Sequence, residues 1–292
     1  MTDDEARQYL EDIRWPEGPV CPHCGDIRIG ELKGASTRPG LYKCYACRKP
    51  FTVTVGTVMH RSHITLKQWV LAFYSMSAHK KGVSALQLQR DLGLGSYKSA
   101  WHLCHRIRAA MSTDPMASLF QGIVEVDETY VGGKYSVYKP GRGKKDKTPV
   151  VAVVERDGRA VSKSVKRTDG DTLKGIIRET ADPSATICTD EHRSYMGIGK
   201  DFKGGHHAVC HSAGEYVRGD AHVNSAESYF SLMERGVIGT FHHVSDKHLD
   251  RYCDEFSFRW NYRKVKDGQR TSAAVRGFDG KRLEYNTLIG RG

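Results

Sequence analysis

The clearest periodicity in the chain begins at Thr65. Leu66, Trp69, Val70, Phe73 and Met76 recur at helical spacing, and Thr65-Leu-Lys-Gln68 is a capping box, so a helix is predicted to about Ala78. Lys80-Lys-Gly82 breaks the pattern. Ser84 can cap a short helix from Ala85 to Leu92, Gly93-Leu-Gly95 turns the chain, and Ser96 can cap a third helix to about Met111. The third helix carries Lys98, His102, His105, Arg106 and Arg108, with Trp101, Leu103, Cys104 and Ile107 available for packing. Short helix, glycine turn, basic helix is the outline of a helix-turn-helix. A three-helix packing module with a solvated basic face is the alternative. Upstream, Phe51-Thr-Val-Thr-Val55 alternates as a strand does.

Beyond Thr113-Asp-Pro-Met116, a plausible linker, the period changes. Gly122-Ile-Val-Glu-Val-Asp127 reads as a strand with Glu125, Asp127 and Thr129 on one face and Val124 and Val126 on the other. Pro149 to Glu155 reads as a buried strand, Arg156-Asp-Gly-Arg159 as a hairpin turn, and Ala160 to Arg167 as the returning strand. Asp171 to Thr180 is predicted helical on Leu173, Ile176 and Ile177, and Ala185 to Asp190 is a fourth strand. Glu191 to Tyr195 begins a short helix or turn, and His207 to Cys210 offers a fifth strand. Val223 to Gly236 is an amphipathic helix; Ser245 then caps a long helix burying Leu249, Tyr252, Cys253, Phe256 and Trp260. The stretch past about Asp267 carries little pattern.

Three acids stand out against this order: Asp127 on the first strand, Asp190 at the end of the fourth, and Glu227 early in the amphipathic helix, 37 positions on (227 − 190). That is the layout of an RNase H-like α/β fold, a mixed five-stranded sheet with flanking helices. Two aspartates on neighbouring strands and a helix-borne glutamate can clamp two divalent ions roughly 3.5–4 Å apart for in-line phosphoryl transfer. Mg²⁺ or Mn²⁺ suits them, being hard cations that take oxygen ligands. Glu125 or Glu128 competes with Asp127 for the role, and Glu191 with Asp190. Asn224 and Glu227 also have the spacing of a purely structural helix cap. His206, His207, His211, His222, His242 and His243 show no paired ligand spacing and read as loop or phosphate contacts.

Composition adds a partner and a second metal. The 292 residues carry a formal charge of +11. Across residues 134–147 Lys134, Lys139, Arg142, Lys144, Lys145 and Lys147 face one acid in a glycine-rich stretch following Asp127, where phosphate contact is useful. Cys21-Pro-His-Cys24 and Cys44-Tyr-Ala-Cys47 have the spacing of a four-cysteine zinc ribbon, a closed structural site rather than a catalytic one. Cys104, Cys188, Cys210 and Cys253 are scattered and read as buried thiols. The polar, acidic start is unlike a signal peptide and no long apolar run suggests a membrane span, so a cytoplasmic, nucleoid-associated protein is expected.

These segments together resemble the bacterial insertion-sequence transposases with an ISXO-like catalytic domain and an amino-terminal zinc ribbon. The resemblance rests on both CxxC pairs, Lys80-Lys-Gly-Val-Ser-Ala85, Val126-Asp-Glu-Thr-Tyr-Val-Gly-Gly-Lys134 and Thr189-Asp-Glu-His-Arg-Ser-Tyr195. It extends through His222-Val-Asn-Ser-Ala-Glu227, Gly236 to Leu249, and Phe256-Ser-Phe-Arg-Trp-Asn-Tyr-Arg263. It implies an RNase H-like DDE enzyme that transposes DNA at terminal inverted repeats, as a homodimer or higher oligomer on double-stranded DNA. The family pattern is two aspartates, a glutamate or asparagine, and a lysine seven residues later. Asp127, Asp190 and Glu227 match, Asn224 rivals the third, and Glu234 stands where the lysine is expected, with Arg235 beside it. The expected organisation is a ribbon over 1–60, a helix-turn-helix-like module over 61–118, a catalytic domain over 119–275 and a tail over 276–292. Lys98, Arg106, Arg108, Lys134, Arg142, Lys144, Lys145 and Arg235 are the expected DNA contacts.

Overall fold

The computed structural model describes residues 1–112, 118–132, 147–209, 217, 219 and 221–290. The chain forms two compact units, one of Met1–Ser112 with Val265–Gly292 and one of Thr113–Lys264.

The first unit opens with a helix that the sequence reading left out, α1 (Asp3–Arg14), held by a full capping box between Thr2 and Glu5. Ala6 and Leu10 are its buried side, and Trp15 at its end meets Tyr42 and Phe51 edge-on, with ring centroids 5.6 and 5.8 Å away. Those two rings sit on a small antiparallel sheet, β1 (Ile29–Glu31), β2 (Tyr42–Cys44) and β3 (Pro50–Phe51). The expected strand from Phe51 to Val55 stops at Phe51. Val55 N–H bonds to Thr52 O and Thr57 N–H to Thr54 O, so the chain turns there.

Helices α2 (Leu66–Ala78), α3 (Ala85–Asp91) and α4 (Tyr97–Met111) follow, with side chains of Thr65, Ser84 and Ser96 capping them as expected. The unit is finished by α8 (Asp267–Arg276) and α9 (Tyr285–Ile289), numbered in chain order after the second unit's helices. The reading of residues 276–292 as a separate tail therefore differs from the structure. Gly277 shows why the packing is close: a Cβ there would lie 2.0 Å from Ala110 O on α4. Val58 N–H bonds to Phe278 O, and Arg14 donates to both Val53 O and Asp279.

The second unit is a five-stranded mixed sheet in the order β6-β5-β4-β7-β8. β4 (Ile123–Val131), β5 (Thr148–Glu155) and β6 (Ala160–Ser164) are antiparallel neighbours, and β7 (Thr186–Thr189) and β8 (His206–Ala208) run parallel to β4. Asp157 takes the left-handed conformation (φ 58°) that the tight β5–β6 turn requires. Alternation along the strands separates two cores. Val124, Val126, Val151 and Val153 pack with Leu173 and Ile177 of α5 (Gly170–Thr180). Val150, Ala152 and Val154 face the other way, onto Tyr229 and Met233 of α6 (Asn224–Gly236) and Cys253 and Phe256 of α7 (Asp246–Asn261). Among the described residues no helix is long and apolar enough to cross a membrane.

Candidate functional site

Strand register brings the two aspartates together. The parallel β4–β7 ladder pairs Val124 with Ile187 and Glu125 with Cys188; Asp127 lies two residues further along β4, and Asp190 just past the end of β7. Neighbouring strands lie about 4.8 Å apart, so both aspartates follow the same end of this ladder. Asp127 Oδ1 accepts the Glu128 N–H at 2.8 Å, and Asp190 Oδ1 accepts the His192 N–H at 3.0 Å. Burial pushes the Asp127 carboxyl up to about 7; the Glu128 N–H opposes this, while the charges of Glu128, Asp190 and Glu227 add to it. Glu227 is thus close enough to Asp127 for its charge to be felt.

Helix α6 lies along β4 in the same direction. Glu125 accepts from the Ser225 and Ala226 N–H groups, and four strand residues later Thr129 donates from Oγ1 to Glu234 at 3.2 Å. Four strand residues rise about 13 Å, as do nine helical ones, so both ends agree. Asp127 lies between these two contacts on the same face of β4, as alternation requires. Glu227 sits on the exposed side of the first turn of α6.

The competing acids have contacts of their own. Glu128 points to the opposite face, where it accepts a hydrogen bond from the Tyr195 hydroxyl and lies 3.8 Å from His192 Nδ1. Burial raises its carboxyl; the Tyr195 bond and His192 oppose the rise, and Asp190 adds to it. Glu125 is fully buried and holds α6. Its Oε1 accepts from Arg156 Nε at 2.8 Å and Ser225 Oγ at 3.1 Å, and its Oε2 from the Ser225 and Ala226 N–H groups at 2.6 and 3.2 Å. Asn224 does not cap the helix: the N-cap position is Val223, which has no side-chain acceptor. Glu191 is exposed beside Asp190.

Sequence reading missed His222, taken as a loop or phosphate contact. Its Nδ1 accepts from Arg156 Nη2 at 3.2 Å and from the Asn224 N–H at 3.4 Å. The same nitrogen lies 3.4 Å from Glu125 Oε1, and Arg156 is the counter-ion of Glu125.

The four ribbon cysteines do converge. Their sulfurs all lie within 4.8 Å of one another, with Cys21–Cys47 and Cys24–Cys44 each at 3.6 Å. Tetrahedral Zn²⁺ at about 2.3 Å from each sulfur puts sulfurs about 3.8 Å apart, so the donor set fits structural zinc. N–H groups of Cys47 and Ala46 help bring the Cys44 thiol down to about 7. Cys24 moves the other way, to about 12: the Asp26 N–H favours its thiolate, but burial and the three other sulfurs outweigh it. Four thiolates this close require a cation. Among the described residues this is the only set of three or more such ligand atoms so tightly grouped. The three acids stand further apart than that.

Two expected DNA contacts are internal. Arg106 is buried and donates to Leu283 O at 3.2 Å and His60 O at 2.5 Å, and Arg108 is 2% exposed. α4 exposes mainly its first turn, Tyr97 to Ser99, and there the Lys98 ammonium lies 4.1 Å above the Tyr285 ring. Arg235 is exposed in the last turn of α6. Lys134, Arg142, Lys144 and Lys145, with His211 and Cys210, lie outside the described residues.

Comparison with known proteins bears on the same segments. Residues 119–261 match the ISXO2-like transposase domain, and residues 1–50 match the transposase zinc-ribbon domain. A Halobacterium salinarum protein described as an uncharacterized protein in transposable element ISH50 is 28% identical over 277 residues, covering 89% of this chain and 91% of the relative.

Proposed function

We infer that this chain, which belongs to the ISXO2-like transposases, cleaves the DNA ends of its element and joins them to target DNA. Asp127, Asp190 and Glu227 are the residues we assign to a pair of Mg²⁺ or Mn²⁺ ions. The single observation that supports this is the β4–β7 register, whose last pair, Glu125 with Cys188, lies two residues before Asp127 and Asp190. When bound, the ions supply an activated water or 3′-hydroxyl and charge on the leaving oxygen. The protein's part is to hold the carboxylates in place and keep Asp127 half out of solvent.

The first unit, stabilised by zinc, binds double-stranded DNA at the terminal inverted repeats, and Lys98 is a contact offered by the exposed turn of α4. Arg235 and the basic residues of segment 134–147 are the side chains we assign to phosphate contacts. Two ends cut together call for a dimer or larger assembly. One observation favours a weakened enzyme: Glu234 brings a carboxylate where the family pattern has a lysine.

The test is incubation of the full chain with the DNA flanking its own gene, with and without Mg²⁺, reading cleavage and joining on a gel. Asp127→Asn is expected to abolish both while leaving DNA retention intact. Undiminished cleavage in that variant sinks the assignment, and cleavage without joining points to a plain nuclease.

A further inference from the structure

Helix α6 begins without the local cap that helices of this kind ordinarily carry. Its N-cap residue is Val223, whose side chain has no acceptor for the free amides of the first turn. The Asn224 N–H reaches His222 Nδ1 at 3.4 Å, and the next two amides reach a carboxylate on another element. Glu125, fully buried on β4, takes the Ser225 and Ala226 N–H groups, the Ser225 hydroxyl and the Arg156 guanidinium, four donors on two oxygens. The pairing satisfies every element of the site at once. The helix dipole favours an anion at this end, Arg156 compensates the buried charge, and the Arg156 Nη2 is itself held by His222 O and Nδ1.

The positions of the acids give this clamp a use. Asp127 lies two residues beyond Glu125 on the same strand and the same face, and Glu227 lies one residue beyond Ala226 on the same helix. One side chain thus fixes the strand-borne acid and the helix-borne acid to a common point, each within two residues of it. We propose that Glu125 is the positioning residue of the metal site, setting the gap between Asp127 and Glu227 by tying the start of α6 to β4. The proposal rests on the reading of Asp127, Asp190 and Glu227 as metal ligands.

Mn²⁺ binding to the full, zinc-loaded chain, read from the electron paramagnetic resonance signal of free Mn²⁺, tests it without recourse to activity. Glu125→Gln keeps the size of the side chain but turns one acceptor into a donor aimed at donors. It is expected to weaken Mn²⁺ binding about tenfold or more, the scale of losing a residue that orients metal ligands, with DNA retention unchanged. Cleavage should show the same rightward shift in its Mn²⁺ dependence. Ser225→Ala, which removes a single donor, should move binding in the same direction by less, and serves if Glu125→Gln does not fold. A double variant, Val223→Ser with Glu125→Gln, gives the helix its own cap but no tie to β4, and should remain weak. Three outcomes overturn the proposal: Mn²⁺ affinity unchanged in Glu125→Gln and Ser225→Ala, a melting temperature that falls while metal binding does not, or full recovery in the double variant. Asp127→Asn is the control on the underlying reading. If it binds Mn²⁺ as the parent does, the metal site itself is wrong; if it loses Mn²⁺ while Glu125→Gln does not, only the positioning role falls.

Discussion

Asp127→Asn is expected to stabilise the second unit at pH 8 in the absence of Mg²⁺, and by only about a third as much at pH 5. The Asp127 carboxyl is pushed from its ordinary 3.8 up to about 7, first by burial and then by the charges of Glu128, Asp190 and Glu227. Because the folded value exceeds the unfolded one, the native state holds an extra proton between about pH 4 and about pH 7. Stability therefore falls as pH rises through that window, and above it the folded protein carries an uncompensated charge. The gap of about 3 pH units sets a ceiling of roughly 4 kcal/mol. Partial exposure and water near the carboxylate reduce this to about 2 kcal/mol. For a unit of this size that is a rise of roughly 4–8 °C in Tm. Asparagine keeps an acceptor for the Glu128 N–H, now 2.8 Å from Oδ1, so the comparison isolates the charge. The assay is calorimetry of the full chain in Mg²⁺-free buffer without chelator, which spares the ribbon zinc, at both pH values. Added Mg²⁺ should then raise the Tm of the parent at pH 8 and leave the variant where it was. A variant no more stable than the parent at pH 8, or equally stabilised at pH 5, refutes the reasoning.

Other substitutions probe other parts. Glu234→Lys breaks only an exposed bond to Thr129, so melting should hardly move, while cleavage and joining on a gel should increase if a phosphate passes there. Cys44→Ser should release the zinc, measured by a colorimetric chelator, and melt the ribbon while the transition of the second unit persists; simultaneous loss of both transitions contradicts independent units. Tyr229→Phe strips a buried hydroxyl bonded to Ser162 Oγ at 2.5 Å and Ser257 Oγ at 3.1 Å, and should cost about 1–3 kcal/mol in urea unfolding without altering Mn²⁺ binding.

Much of the fold was legible because local signals agreed with it. The caps at Thr65, Ser84 and Ser96 and the Asp-Gly turn at 157–158 are short-range chemistry, and the structure uses each one. Helix α1 is equally legible, since Thr2 and Glu5 form the same capping box ahead of Ala6 and Leu10. What escaped was long-range. Nothing local in residues 265–290 says that Gly277 must meet Ala110 or that Leu283 O accepts from Arg106. Arg106 looks like a DNA contact in one dimension and is an internal donor in three. Period-2 alternation correctly separated Glu125 and Asp127 from Val124 and Val126, yet it is blind to distance along the face. Only the approach of α6 distinguishes Glu125, the acid that holds a helix, from Asp127 two residues on.

The contribution of residues 265–290 to the first unit has a consequence during synthesis. A ribosome makes residues 113–264 before it makes α8 and α9, so the acid-bearing unit is a complete, contiguous stretch able to fold while its elder neighbour still lacks two helices. An early stop codon just past 264 would release a chain whose five-stranded unit is intact and whose cysteine-bearing part is left gaping along α4.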